Sequence, residues 1–152
     1  MDKLAFVLSL VCLAALAFAA APPKALLGHV NYAPMSIAVM QNPPYGQFDV
    51  IINVQNYVEV GVWNGGTTAP NKATTVLGTY PTGSNEGALY PIEPQHAGYA
   101  YLTITCSSLG PFNYTVEVNP HRNITESNYS DNVYTHQMNC ISPGPGLGNG
   151  LK

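Results

Sequence analysis

The stretch Tyr99–Cys140, YAYLTITCSSLGPFNYTVEVNPHRNITESNYSDNVYTHQMNC, decides the fold class. Ala100, Leu102, Ile104 and Cys106 alternate with Tyr99, Tyr101, Thr103 and Thr105. Leu109-Gly110-Pro111 turns the chain, and Phe112, Tyr114, Val116 and Val118 then alternate with Asn113, Thr115 and Glu117. A repeat of two sends one side chain of each pair to a core and the other to solvent. That is the pattern of a half-buried strand, not of a helix. Asn119-Pro120 ends the second strand, because proline withdraws a backbone donor. Asn119–Asp131 reads as a long polar loop and Asn132–Met138 as the last strand.

The same period runs upstream. Tyr57–Trp63 places Val58, Val60 and Val62 on one side. Phe48–Gln55 places Phe48, Val50, Ile52 and Val54 on one face, with Ile51 the exception. Gln55-Asn56 between them is a tight turn or a bend in one long strand. Ser36–Met40 is a short apolar run, and Asn64-Gly65-Gly66 is a turn signal. Thr74–Tyr80 is rich in β-branched residues and reads as a strand, and Pro81–Gly87 reads as a loop. Leu89–Glu93 contains Pro91 and abuts Pro94, which confines it to an edge or irregular strand. Seven to eight short strands with regular turn signals predict an all-β fold, an antiparallel β-sandwich of immunoglobulin-like type. A small barrel is the competing architecture.

The N-terminus predicts export. Lys3 supplies a basic start, Leu4–Phe18 an apolar run short for a bilayer, and Ala17-x-Ala19 a small-residue cleavage site. Cys12 follows Val11 and reads as part of that apolar run. The expected organisation is a signal peptide over 1–19, a flexible arm over 20–28, the sandwich over 29–141 and a disordered Gly/Pro tail over 142–152. No second apolar run of membrane length follows, and ISPGPGLGNGLK lacks the apolar tail of a lipid anchor. A secreted, extracellular protein without a membrane anchor is expected. Cys106 and Cys140 then form an even pair in an oxidising compartment, which predicts a disulfide. Strand directions bring both to one end of the sandwich.

Charged residues are 9% of the chain and the net charge is −3, against about 25% charged in typical domains. A basic nucleic-acid surface is excluded on that ground. Three N-x-[ST] triplets start at Asn113, Asn123 and Asn128, and in an exported chain they are candidate N-glycosylation sites. Asn113 falls on the outward face of its strand, near the disulfide end. Asn123 and Asn128 fall in the loop at the opposite end.

Hydrolase, phosphate-loop and zinc-protease motifs are absent from the sequence. His29, His96, His121 and His136 stand isolated. Glu126 and Asp131 could hold a calcium ion with backbone carbonyls, but two carboxylates are few for a dedicated site, and a hydrogen-bonded turn is preferred. The expectation is therefore no enzyme, no catalytic residues, no metal and no cofactor. Ten tyrosines and one tryptophan invite sugar stacking, with Tyr99 and Tyr101 on one strand face. Cross-strand pairing explains them equally well.

Asn119-Pro120, Glu126-Ser127, Tyr129 and Asn132, with flanking strands Tyr114–Val118 and Val133–Met138, carry a resemblance. This hairpin resembles the C-terminal part of the lysyl oxidase catalytic domain, and it is similar in outline to CARDB-type adhesion modules of secreted bacterial proteins. Both imply a β-sandwich framework in which Asn119, Pro120, Glu126, Ser127 and Asn132 form a structural turn motif. The copper chemistry of lysyl oxidases does not carry over, because the closely spaced histidines it needs are absent from the sequence. The expected function is a secreted, non-enzymatic glycoprotein with a structural or adhesive role, through self-association or contact with matrix or glycan partners. A soluble carbohydrate- or protein-binding module is the first alternative. A divergent lysyl oxidase-like domain without catalysis is the second.

Overall fold

The computed structural model describes residues 28–41 and 45–144. The expected signal peptide, nearly all of the N-terminal arm and the tail from residue 145 lie outside the described residues. Eight strands form in the order β1 (Tyr32–Val39), β2 (Asp49–Ile51), β3 (Asn56–Asn64), β4 (Thr74–Tyr80), β5 (Gly83–Leu89), β6 (His96–Ile104), β7 (Gly110–Val118) and β8 (Val133–Ile141). They stack as a three-stranded sheet, β1-β3-β6, and a five-stranded sheet, β2-β8-β7-β4-β5. This is the expected all-β sandwich. Among the described residues the one parallel strand pair is β2 with β8, from Asp49↔Asn139 to Ile51↔Ile141.

Alternation builds the core. Val58, Val60 and Val62 of β3 meet Ala100, Leu102 and Ile104 of β6 on the inner face of one sheet. Tyr114, Val116 and Val118 of β7, Val76 of β4 and Met138 of β8 supply the facing layer. β-branched side chains suit such a half-buried pleated surface, and burying each valine contributes about 1.5–3 kcal/mol.

Several expectations need correction. The segment expected as loop over Pro81–Gly87 is mostly strand, and the strand expected over Leu89–Glu93 ends at Leu89. β5 is an edge strand that pairs only with β4, from Thr74↔Leu89 to Tyr80↔Gly83. A backbone ladder holds it, so its side chains need not alternate in polarity. It also runs close beneath the other sheet: a Cβ on Gly87 would collide with the Tyr101 carbonyl of β6.

The second correction concerns Phe48–Gln55, where only Asp49–Ile51 is strand. Asn53 adopts φ 58°, a left-handed conformation that asparagine tolerates better than most residues. The chain therefore turns, Val54 is exposed, and β2 and β3 enter different sheets. Third, β1 starts at Tyr32, not Ser36, with a register shift between Pro34 and Ser36 that accommodates the proline. Likewise, β6 starts at His96 and stops before Cys106, whose backbone bridges Ile52.

Candidate functional site

The β7–β8 loop is closed by buried polar side chains. Asn119 takes φ 53° and is buried, and its side-chain amide donates to the Ile124 carbonyl and to Glu126 Oε1, both at 2.7 Å. Its Oδ1 accepts from Thr74 Oγ1 at 2.9 Å and from the Ile124 N–H at 3.2 Å. Asn132 Nδ2 donates to the Val118 carbonyl and to Glu126 Oε1, both at 2.9 Å. Glu126 Oε2 accepts the Tyr32 N–H at 2.7 Å. Three N–H donors thus surround the Glu126 carboxylate, which is what a buried acid needs in place of water. The Ser127 N–H donates to the Val30 carbonyl at 2.9 Å and its hydroxyl to Asn31 Oδ1 at 3.2 Å. Pro120 follows Asn119 at the end of β7. The five turn residues therefore sit together where the loop meets the start of β1. Glu126 turns inward to N–H groups, and Asp131 Oδ2 accepts from Asn31 Nδ2 at 3.0 Å.

Two further buried asparagines escaped the sequence reading. Asn56 Nδ2 donates to the Ile51 and Val54 carbonyls, at 3.1 and 2.7 Å, and its Oδ1 accepts the Ile51 N–H at 3.2 Å. Asn64 Nδ2 donates to the Thr68 and Ile92 carbonyls, at 3.0 and 2.9 Å, and its Oδ1 accepts the Gly66 N–H at 3.0 Å. Both flank the valine run of β3 and fasten neighbouring loops. An asparagine directly abutting an alternating strand was the available signal, but it reads the same as an exposed turn residue.

Cys106 and Cys140 meet in disulfide geometry, with Cα atoms 6.0 Å apart. Cys106 follows β6 of one sheet and Cys140 lies in β8 of the other, so the bond joins the sheets at one end. Asn113 is exposed on β7 opposite Gln137. Asn123 and Asn128 are exposed in the loop that follows β7. Asn123 contacts Thr74 Oγ1 at 2.6 Å, and Asn128 Oδ1 accepts the Ser130 N–H at 3.0 Å. The Asn128 bond leaves free the amide nitrogen to which a glycan would be attached.

The outer face of the three-stranded sheet is aromatic. Tyr57, Tyr99 and Tyr101 are all exposed. Register pairs Glu59 with Tyr101 and Gly61 with Tyr99. The Tyr101 phenol is held above its usual value, first by its hydrogen bond to Glu59 and then by the charge of that carboxylate. An open hollow of about 280 Å³ adjoins this face, lined by Tyr90, Glu93, His96 and Tyr99 among others. The histidines are dispersed. His121 pairs with Glu86 at 3.0 Å, His136 packs on Phe48 with ring centroids 3.9 Å apart, and His96 contacts the Pro94 carbonyl at 2.9 Å. Among the described residues no three His, Cys, Asp or Glu side chains cluster.

No protein-family model matches the chain, and no curated protein sequence matches it. Solved structures do. The CARDB domain of a Pyrococcus furiosus protein, crystallised in complex with di-metal ions, aligns with TM-score 0.57 at 16% identity, over 76% of this chain and 96% of that one. A solution structure of the same domain aligns with TM-score 0.55 at 16% identity, over 76% and 98%. A domain of a protein named as a cell surface protein in Methanosarcina acetivorans aligns with TM-score 0.61 at 17% identity, over 76% and 95%. Of the two resemblances carried by the hairpin, these matches bear on the CARDB one. The fold is a two-sheet β-sandwich of CARDB type.

Proposed function

We propose that the chain is a secreted, non-enzymatic β-sandwich module with a structural or adhesive role, glycosylated around one sheet. One observation carries this reading. The sequon asparagines are all exposed, Asn113 on the five-stranded sheet and Asn123 and Asn128 on the loop between its strands. The three-stranded sheet bears no sequon and exposes Tyr57, Tyr99 and Tyr101. Glycans would keep one side solvated and leave the aromatic side for contact. The likeness to a domain named for the cell surface agrees with that placement.

The test is intact mass of protein recovered from the medium of a eukaryotic secretory host. The expected product starts at Ala20, loses mass in glycan-sized steps on glycosidase treatment and gains two hydrogens on reduction after denaturation. A chain retained in the cells without glycan overturns the reading.

A second reading, sugar binding, is favoured by the hollow beside Tyr99. Tyr90, Tyr99, Glu93 and His96 all line it, two aromatic rings beside two hydrogen-bonding side chains. Binding to a glycan array that is lost in Tyr99→Ala would support it. An array without hits removes it.

A further inference from the structure

We propose that the open edge of β8 pairs antiparallel with β8 of a second copy, about a two-fold axis at Thr135. The proposal rests on the self-associating form of the structural role above and names the edge that would serve it. β2 covers β8 only at Asn139–Ile141. Over Val133–Met138, β8 has β7 on one side and, among the described residues, no strand on the other.

Two bonds set the phase of its backbone. The Val118 N–H donates to the Asn132 carbonyl at 2.9 Å, and the Asn139 N–H donates away from β7 to the Phe48 carbonyl at 3.0 Å. Antiparallel ladders alternate between bonded and non-bonded pairs. Tyr134 and His136 therefore spend their backbone groups on β7, while Val133, Thr135 and Gln137 turn theirs outward. Among the described residues, these outward groups have no backbone partner beyond the strand ladders.

The other edges are guarded. On β1, Glu126 takes the Tyr32 N–H and the Gln47 carbonyl takes the Val39 N–H. On β6, Asn85 Oδ1 takes the Thr103 N–H at 3.0 Å. β5 carries Glu86 and glycines at positions 83 and 87. The open part of β8, VYTHQ, contains no lysine, proline, glycine or carboxylate, the usual devices against edge pairing. Val133 is 52% exposed and Tyr134 39%.

A second β8 is the occupant that this edge fits. Pairing about Thr135 sets Val133 against Gln137 and Tyr134 against His136, so no fixed like charges face each other. It joins two five-stranded sheets through a self-complementary strand. The paired segment is short, so the association is weak and concentration-dependent.

Sedimentation and residue-resolved amide exchange, on the protein with and without glycosidase treatment, test the idea. As concentration rises, exchange at Val133, Thr135 and Gln137 should slow by about tenfold or more, while Tyr134 and His136, already bonded to β7, stay unchanged. Thr135→Lys places two ammonium groups across the axis and should return the chain to monomer, with Thr135→Ser keeping the dimer. Unchanged near-ultraviolet circular dichroism shows that the Lys variant is folded. A deglycosylated protein that stays monomeric overturns the proposal, as does a dimer protected elsewhere, for example at Tyr57 and Tyr99. Failure of the secretion reading would appear in the mass experiment and leaves this one interpretable.

Discussion

Glu126 is a buried acid whose oxygens face three N–H groups, from Tyr32, Asn119 and Asn132. Glu126→Gln must turn an amide N–H toward at least one of those donors. The expected cost is about 1–3 kcal/mol, read as a fall in the urea midpoint with an unchanged slope. Tyr32 belongs to the same cluster: burial pushes its phenol up, the Ile92 N–H opposes this, and the Glu126 charge adds to it. Tyr114 is a different case. Its ring is fully buried, and its hydroxyl has no hydrogen-bond partner among the described residues. Burial drives its pKa far above the usual value, with a lesser contribution from Tyr80. Tyr114→Phe removes an unsatisfied polar atom, so stability should hold or rise by up to about 1 kcal/mol. A Cβ on Gly78 would strike the Tyr114 hydroxyl and ring. Gly78→Ala should therefore destabilise, and by less in the Tyr114→Phe background. Additive effects in that double-mutant cycle would show that the two sites do not touch. These roles were only half legible. Proline after Asn119 marked the strand end, but burial of an asparagine depends on which loop folds back over it.

At the level of elements, legibility followed side-chain alternation. β3, β6 and β7 were readable because each buries one face against the opposite sheet. β5 was not, because an edge strand of Gly, Ser, Asn and Glu is held by its ladder to β4. β2 misled for the opposite reason: its apolar pattern continues past Ile51, but Asn53 turns the backbone and Asn56 clamps the turn. The aromatic face was partly visible, since alternation already placed Tyr99 and Tyr101 together. Tyr57 joins them only through the β3–β6 register, pairing with Thr103. The buried end of β5 yields a prediction. Gly87 faces the Tyr101 carbonyl, whereas the neighbouring Ala88 is exposed. Gly87→Val should cost about 1–3 kcal/mol by overpacking the gap between the sheets. Ala88→Val, on the solvent face of the same strand, should be near neutral. Equal thermal midpoints for the two variants would mean that the sheets do not approach each other there.

For the whole molecule, the decisive contact is the one that joins the sheets. Strand directions in the sequence bring Cys106 and Cys140 to the same end, but they do not say that the two belong to opposite sheets. That depends on β6 pairing with β3 and β8 with β7, a long-range choice invisible in local pattern. A crosslink across 34 residues lowers the entropy of the unfolded chain and contributes about 4 kcal/mol in the chain-entropy model. Cys106 and Cys140 are only 6% and 1% exposed. A reductant should therefore meet the bond only when the sandwich opens. The native protein is expected to resist thiol labelling in reductant alone and to label at both cysteines once urea is added. The Cys106→Ala, Cys140→Ala double variant should lose about 4 kcal/mol, most of a marginal domain's stability, and its denaturant slope should rise as the unfolded chain expands. Rapid labelling under native conditions, or a double variant as stable as the parent, would show that the two sheets hold together by packing alone.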